Sequence, residues 1–99
     1  MTYEGTYQMD SKHGQGTFKW ADGSSYIGDL ADNKLHGFGL YTFADGRTYK
    51  GDWAENQMSG KGTYKWPSGR YYEGDFKNDL RHGVGVLKFP DGQKYEGKF

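Results

Sequence analysis

The chain has no cysteine, which excludes a disulfide framework and any thiolate metal site and leaves its redox compartment open. Its thirteen basic and thirteen acidic residues cancel, and the sequence pI is near 6.8. No long-range field therefore exists to draw in nucleic acid or an anionic bilayer, and no nucleic-acid partner is expected. No run approaches the roughly 18 consecutive apolar residues of a spanning helix, and Met1-Thr2-Tyr3-Glu4-Gly5 lacks the apolar core of a signal peptide. A soluble, intracellular, cytoplasmic protein is the expectation.

Apolar residues are scarce, at 33%, yet 18% of residues are aromatic and 17 are glycine. Apolar area is thus concentrated in a few large rings separated by positions with no side chain. A chain of 99 residues is short for a thick core. This mixture favours turn-rich β structure over helices.

The order in which these residues occur is strictly periodic. Tyr-x-Gly stands at Tyr3, Tyr26, Tyr49, Tyr72 and Tyr95, a step of 23 each time. With that Tyr as position 1, every glycine falls at position 3, 12, 14 or 21. Position 5 reads Tyr7, Leu30, Trp53, Phe76, Phe99; position 16 reads Phe18, Tyr41, Tyr64, Leu87; position 18 reads Trp20, Phe43, Trp66, Phe89. Only Phe38 and Tyr71 stand outside the aromatic frame. The units run 3–25, 26–48, 49–71 and 72–94, with a partial fifth at 95–99, and residues 1–99 are expected to form one array.

Within a unit the apolar residues are spaced by two, so positions 1, 3 and 5 share a face of one strand and positions 12, 14, 16 and 18 share a face of a second. Polar turns such as Asp32-Asn33-Lys34 and Lys77-Asn78-Asp79 separate the two strands. Asp22-Gly23, Asp45-Gly46, Ser68-Gly69 and Asp91-Gly92 follow the second. The spacing predicts an all-β fold, an elongated single-layer antiparallel β-meander of about nine strands, on the order of 40 Å across. Both edge strands are uncovered, which makes edge-to-edge association a physical route to a homo-oligomer.

The two faces differ in chemistry. One carries the rings and glycines, where a ring can lie over the bare backbone of a neighbouring strand. The other carries Glu4, Asp29, Asp52, Glu73 and Asp75 from first strands and Lys19, Lys65 and Lys88 from second strands. Exposed pairs contribute little, so this second face is read as solvated surface. The aromatic face has no helix in the sequence to cover it, and monomers seldom leave a large apolar patch unused. Trp20, Tyr26, Phe43, Tyr49, Trp53, Trp66, Tyr72 and Phe76 are the expected partner-binding residues, because aromatic side chains supply much of the binding energy at protein interfaces.

Other chemistries fit poorly. His13, His36 and His82 occupy equivalent places in their units, so neighbouring ones lie two strands or more apart, at least roughly 9 to 10 Å, too far to share one ion. Gly14-Gln15-Gly16 resembles a phosphate loop, but a strand follows it where a helix is needed. No acid–base pair or nucleophile stands outside the repeat frame, so no catalytic residue, metal or cofactor is expected. Anionic lipid is the alternative partner, with Lys12, Lys19, Lys34, Lys61, Lys65, Arg70, Lys77, Arg81 and Lys88 as local basic spots partly cancelled by acidic neighbours.

Tyr72-Glu73-Gly74-Asp75-Phe76, then His82-Gly83-Val84-Gly85, then Pro90-Asp91-Gly92-Gln93-Lys94-Tyr95-Glu96-Gly97 resembles the MORN repeat (membrane occupation and recognition nexus), and the resemblance covers essentially the whole chain. It implies a curved single-layer sheet whose groove takes a partner segment, often helical, or another copy of itself. It further implies a non-catalytic scaffolding or targeting role, cytoskeletal, ciliary or at membrane junctions, with phospholipid binding as the association recorded in the family's name. Ser59 replaces the position-11 His, Leu30 and Leu87 replace aromatics, and Lys34, Gln57 and Asp79 stand where the turn often has Gly. Local changes in loop shape are expected there.

Overall fold

In a computed structural model that describes residues 2–9 and 11–99, the chain forms nine strands. These are β1 (Thr2–Gln8), β2 (Ser11–Lys19), β3 (Ser25–Ala31), β4 (Lys34–Thr42), β5 (Thr48–Ala54), β6 (Gln57–Lys65), β7 (Tyr71–Lys77), β8 (Leu80–Lys88) and β9 (Lys94–Lys98). Each pairs antiparallel with the next in sequence, giving one open sheet in the order β1 to β9. The molecule measures 47 × 26 × 15 Å, a ribbon one layer thick, so the expected single-layer meander is the fold.

Two kinds of turn alternate along the two long sides. Between the strands of a unit, both central residues take positive φ: 49° and 67° at Asp32-Asn33, 51° and 69° at Glu55-Asn56, 51° and 68° at Asn78-Asp79. These are the angles of a type I′ turn, whose twist matches that of the flanking strands. The expectation that loss of Gly would change the loop from unit to unit is therefore corrected. These three loops keep one shape because the second residue of each is tied to the preceding unit. Asn33 Oδ1 accepts from the Lys12 N–H, Asn56 Oδ1 from Leu35 and Asp79 Oδ1 from Met58, at 2.7–2.8 Å. The N–H groups of Asn33, Asn56 and Asp79 donate back to the carbonyls of Lys12, Leu35 and Met58. Between units, Gly23, Gly46, Gly69 and Gly92 sit at φ 93–97° and close a three-residue loop, a conformation that costs a side chain more than it costs glycine.

Pairing is not regular along the strands. Gly28 faces Gly39 and Leu30 faces Leu35, so Asp29 alone stands opposite His36, Gly37 and Phe38. The same shift follows Gly5, Gly51 and Gly74. Position-4 side chains hold this bulge. Asp29 Oδ2 accepts from the Phe38 N–H at 3.0 Å, Asp52 Oδ2 from Lys61 at 3.2 Å and Thr6 Oγ1 from Gln15 at 3.3 Å. Asp29 and Asp52, expected as solvated surface charges, are thus fasteners for backbone N–H groups that the bulge removes from the ladder.

The bulge serves the tyrosines. Glycines pair across the whole sheet, Gly5 with Gly16, Gly16 with Gly28, Gly28 with Gly39, and so on to Gly85 with Gly97. Each position-1 ring lies across this bare row, and its hydroxyl donates to the backbone carbonyl at position 4: Tyr26 to Asp29 at 2.7 Å, Tyr49 to Asp52 at 2.8 Å, Tyr72 to Asp75 at 3.0 Å. Position-5 rings then close over them edge-on. Trp53 lies 5.7 Å from Tyr26 and 5.2 Å from Tyr49, and Phe76 lies 4.9 Å from Tyr49 and 5.1 Å from Tyr72, all at interplanar angles of 79–90°. In a one-layer sheet this leaves Tyr26, Tyr49 and Tyr72 with no exposed surface at all. Phe18, Leu30, Leu35, Trp53, Met58 and Phe76 complete the core.

An added Cβ at Gly62 would meet the Tyr49 ring at 2.4 Å, and that ring has nowhere to go. Gly62→Ala is expected to lose at least about 1–3 kcal/mol of stability in urea titration, whereas Lys19→Ala stays within about 0.5 kcal/mol.

Burial raises the phenol pKa of Tyr26, Tyr49 and Tyr72, and the nearby aspartates add to it. A group whose pKa is raised by folding stabilises the fold fully below its unfolded value, and that contribution is lost as pH rises toward the folded one. An alkaline spectrophotometric titration should therefore show these three phenols ionising only as the sheet unfolds, above the ordinary phenol range. Smooth ionisation of every tyrosine with circular dichroism unchanged would contradict this packing.

Candidate functional site

The part of the aromatic face that stays accessible is made by positions 16 and 18. Trp20 touches Tyr41 at 5.5 Å between centroids, Tyr41 touches Phe43 at 4.8 Å, Phe43 touches Tyr64 at 5.7 Å, and Tyr64 touches Trp66 at 4.7 Å. These five rings form an unbroken, half-buried row that crosses from β2 to the end of β6. The row exists because positions 16 and 18 lie near the second-strand ends, beyond the zone where position-5 rings close over the tyrosines. It rests on the core through Phe18 under Trp20, Trp53 under Tyr41 and Phe76 beside Tyr64.

Of the eight side chains expected to bind a partner, the structure divides the set. Trp20, Phe43 and Trp66 are half-buried members of the row. Tyr26, Tyr49, Tyr72, Trp53 and Phe76 are buried, their rings consumed by packing against glycines and one another. They support the surface from beneath. Tyr41 and Tyr64 belong to the row but were absent from the expected set, although their in-register place at position 16 signals it. Beside the row, Leu35, Tyr41, Phe43, Trp53, Met58 and Tyr64, with Asn56 and Asp79 at the polar side, line a depression of about 340 Å³, and Met58, Tyr64, Trp66, Phe76, Asp79, Leu80 and Arg81 line one of about 180 Å³.

Cations flank the rings. The Arg47 guanidinium lies 4.6 Å from the Phe43 centroid and that of Arg70 lies 4.1 Å from the Trp66 ring. Arg47 is also bound in place, its Nε donating to Asp45 Oδ2 at 2.7 Å and an Nη to the Tyr64 hydroxyl at 2.9 Å. The Arg47 backbone N–H and then its guanidinium hold the Asp45 carboxyl below its ordinary range. Burial raises the Tyr64 phenol, with Arg47 opposing.

The opposite face is less uniformly polar than its charges suggest. Ile27, Phe38 and Val84 are 55%, 51% and 63% exposed there. Ile27, Phe38 and Leu40 rim a shallow trough over Gly5, Gly16, Gly28 and Gly39. Two of the three histidines serve the turns: Nδ1 of His13 accepts from the Asp32 N–H at 3.4 Å, and that of His36 from the Glu55 N–H at 3.3 Å. Among the described residues no three His, Asp or Glu side chains gather as metal ligands, and no helix is long and apolar enough to cross a membrane.

No curated protein matches the chain. The profile of the MORN repeat matches it four times, over residues 3–25, 26–46, 49–69 and 72–94. Those matches take in most of the sequence and fall in phase with the hairpin units just described, so the chain belongs to the MORN repeat family.

Proposed function

We propose that the chain is a non-catalytic scaffold or targeting module that docks a protein segment on the row Trp20–Tyr41–Phe43–Tyr64–Trp66. One observation carries this: five rings in continuous contact stay half-exposed on a sheet face that no other part of the described chain covers. Rigid rings already fixed by their neighbours lose little side-chain entropy on binding. Depressions beside the row suit apolar side chains of an incoming segment, for which a helix is the simplest carrier because its residues repeat at a compatible spacing. A second copy of the chain is the competing occupant. The family supports an intracellular setting with cytoskeletal or membrane-junction attachment, which forms part of the same proposal.

Anionic lipid is the second reading, favoured by the cations beside the rings. It is weakened by Asp45, which already takes up the charge of Arg47. The two differ in salt response, since burial of rings survives about 0.5 M salt and attraction to a charged bilayer does not. The chain immobilised on beads should retain its partner from extract through such a wash. The Trp20→Ala, Phe43→Ala and Trp66→Ala variants, checked for folding by thermal melts, should each lose about ten-fold or more in affinity. Tight low-salt binding to phosphatidylserine vesicles, equal in all three variants, would replace docking by the lipid reading. Light scattering at rising concentration reports whether the occupant is a second copy.

A further inference from the structure

The repeat lets each side chain be compared with its own counterparts, and one of them lacks its partners. At position 20 three units carry Asp22, Asp45 and Asp91, and in each the carboxylate is taken by position 22. Asp22 Oδ1 accepts from the Ser24 hydroxyl at 2.6 Å and from its N–H, Asp45 binds Arg47, and Asp91 accepts from the Gln93 N–H at 2.9 Å. The third unit has arginine at position 22, as the second does, but Ser68 stands where Asp45 would. Leu87 likewise stands where Tyr64, the other acceptor for Arg47, would. Ser68 Oγ reaches only the Arg70 backbone N–H, at 3.4 Å.

Arg70 keeps the stacking half of the arrangement and loses the anionic half. Its guanidinium lies closer to Trp66, at 4.1 Å, than that of Arg47 does to Phe43, at 4.6 Å. Among the described residues its Nε is the one buried side-chain nitrogen or oxygen without a hydrogen-bond partner. An arginine donor left unpaired at a partly buried site carries a desolvation cost that an anion removes. Arg70 and Trp66 sit together at the end of the aromatic row.

We infer that Arg70 receives the carboxylate of an aspartate or glutamate from the docked protein segment, which takes the role that Asp45 plays for Arg47 inside the chain. The inference rests on the docking face proposed above and specifies its ligand: apolar side chains over Tyr64 and Trp66 followed by an acidic one at Arg70. Carboxylate suits the planar guanidinium, which can offer two parallel N–H donors while its face stays on the indole. The contact also fixes the direction of the segment, because the corresponding arginine in the preceding unit is already satisfied.

The test uses the full ¹⁵N-labelled chain and two probes, a short Leu/Glu peptide and its Leu/Gln counterpart, with the Trp66 indole and Arg70 Nε–Hε signals followed by NMR. The wild type should bind the Glu peptide about five-fold tighter, with the Arg70 signal moving to saturation. Ser68→Asp supplies the missing carboxylate within the chain. It should melt no lower than wild type and bind both peptides alike, as should Arg70→Gln. Equal binding of the two peptides to wild type, or a Glu preference that survives Ser68→Asp, overturns the inference while leaving the docking face standing. Failure of both peptides to move the row's ring signals overturns the docking face together with it. An Arg70 signal that responds to phosphatidylserine vesicles and not to the Glu peptide assigns the site to lipid phosphate and overturns it as well.

Discussion

The fold depends on one contact, a tyrosine ring laid flat over a glycine of the adjacent strand with its hydroxyl tied to a backbone carbonyl three residues along its own strand. A single-layer sheet has no opposing layer to bury apolar area, so it must hide rings within its own thickness. Glycine removes the side chain that would hold a ring away, and the hydroxyl bond removes the cost of burying a phenol. Once Tyr26, Tyr49 and Tyr72 lie down, position-5 rings of their own and the next unit close over them, and the row at positions 16 and 18 gains a firm base.

The bulge follows from the same contact. Two additional residues on the second strand of each unit open the pairing beside the position-4 carbonyl that the tyrosine uses, and Asp29, Asp52 or Thr6 occupies the freed N–H group. Asp29 and Asp52 thus answer to a backbone demand, while Asp75 pairs with Lys61.

The architecture was legible in the sequence because a period of 23 with glycines in register leaves few other solutions. Strand number, antiparallel order, turn placement and the identity of the ring-bearing face all follow from it. The bulge was not legible, since counting alternate residues assumes an unbroken ladder. Nor was the division of the aromatic residues: Tyr49 and Trp66 look alike along the chain, and only cross-strand register puts one beneath Trp53 and Phe76 and the other at the rim. The shape of the turns was not legible either, for a related reason. Asn56 and Asp79 hold left-handed angles without glycine because their side chains are anchored to the unit before, an interaction 21 residues away in sequence.

Those anchors bear on how such a protein changes length. A unit here is not self-sufficient, since Lys12, Leu35 and Met58 each find a hydrogen-bond partner in the turn that follows one period later. Excising or duplicating one whole period brings an equivalent turn to an equivalent strand and reforms every anchor at the seam, whereas any other change in length leaves two strands facing turns that cannot reach them. Evolution of the array is thereby quantised: the ribbon can be shortened or extended in steps of about five Å per strand, two strands at a time, without renegotiating its interior.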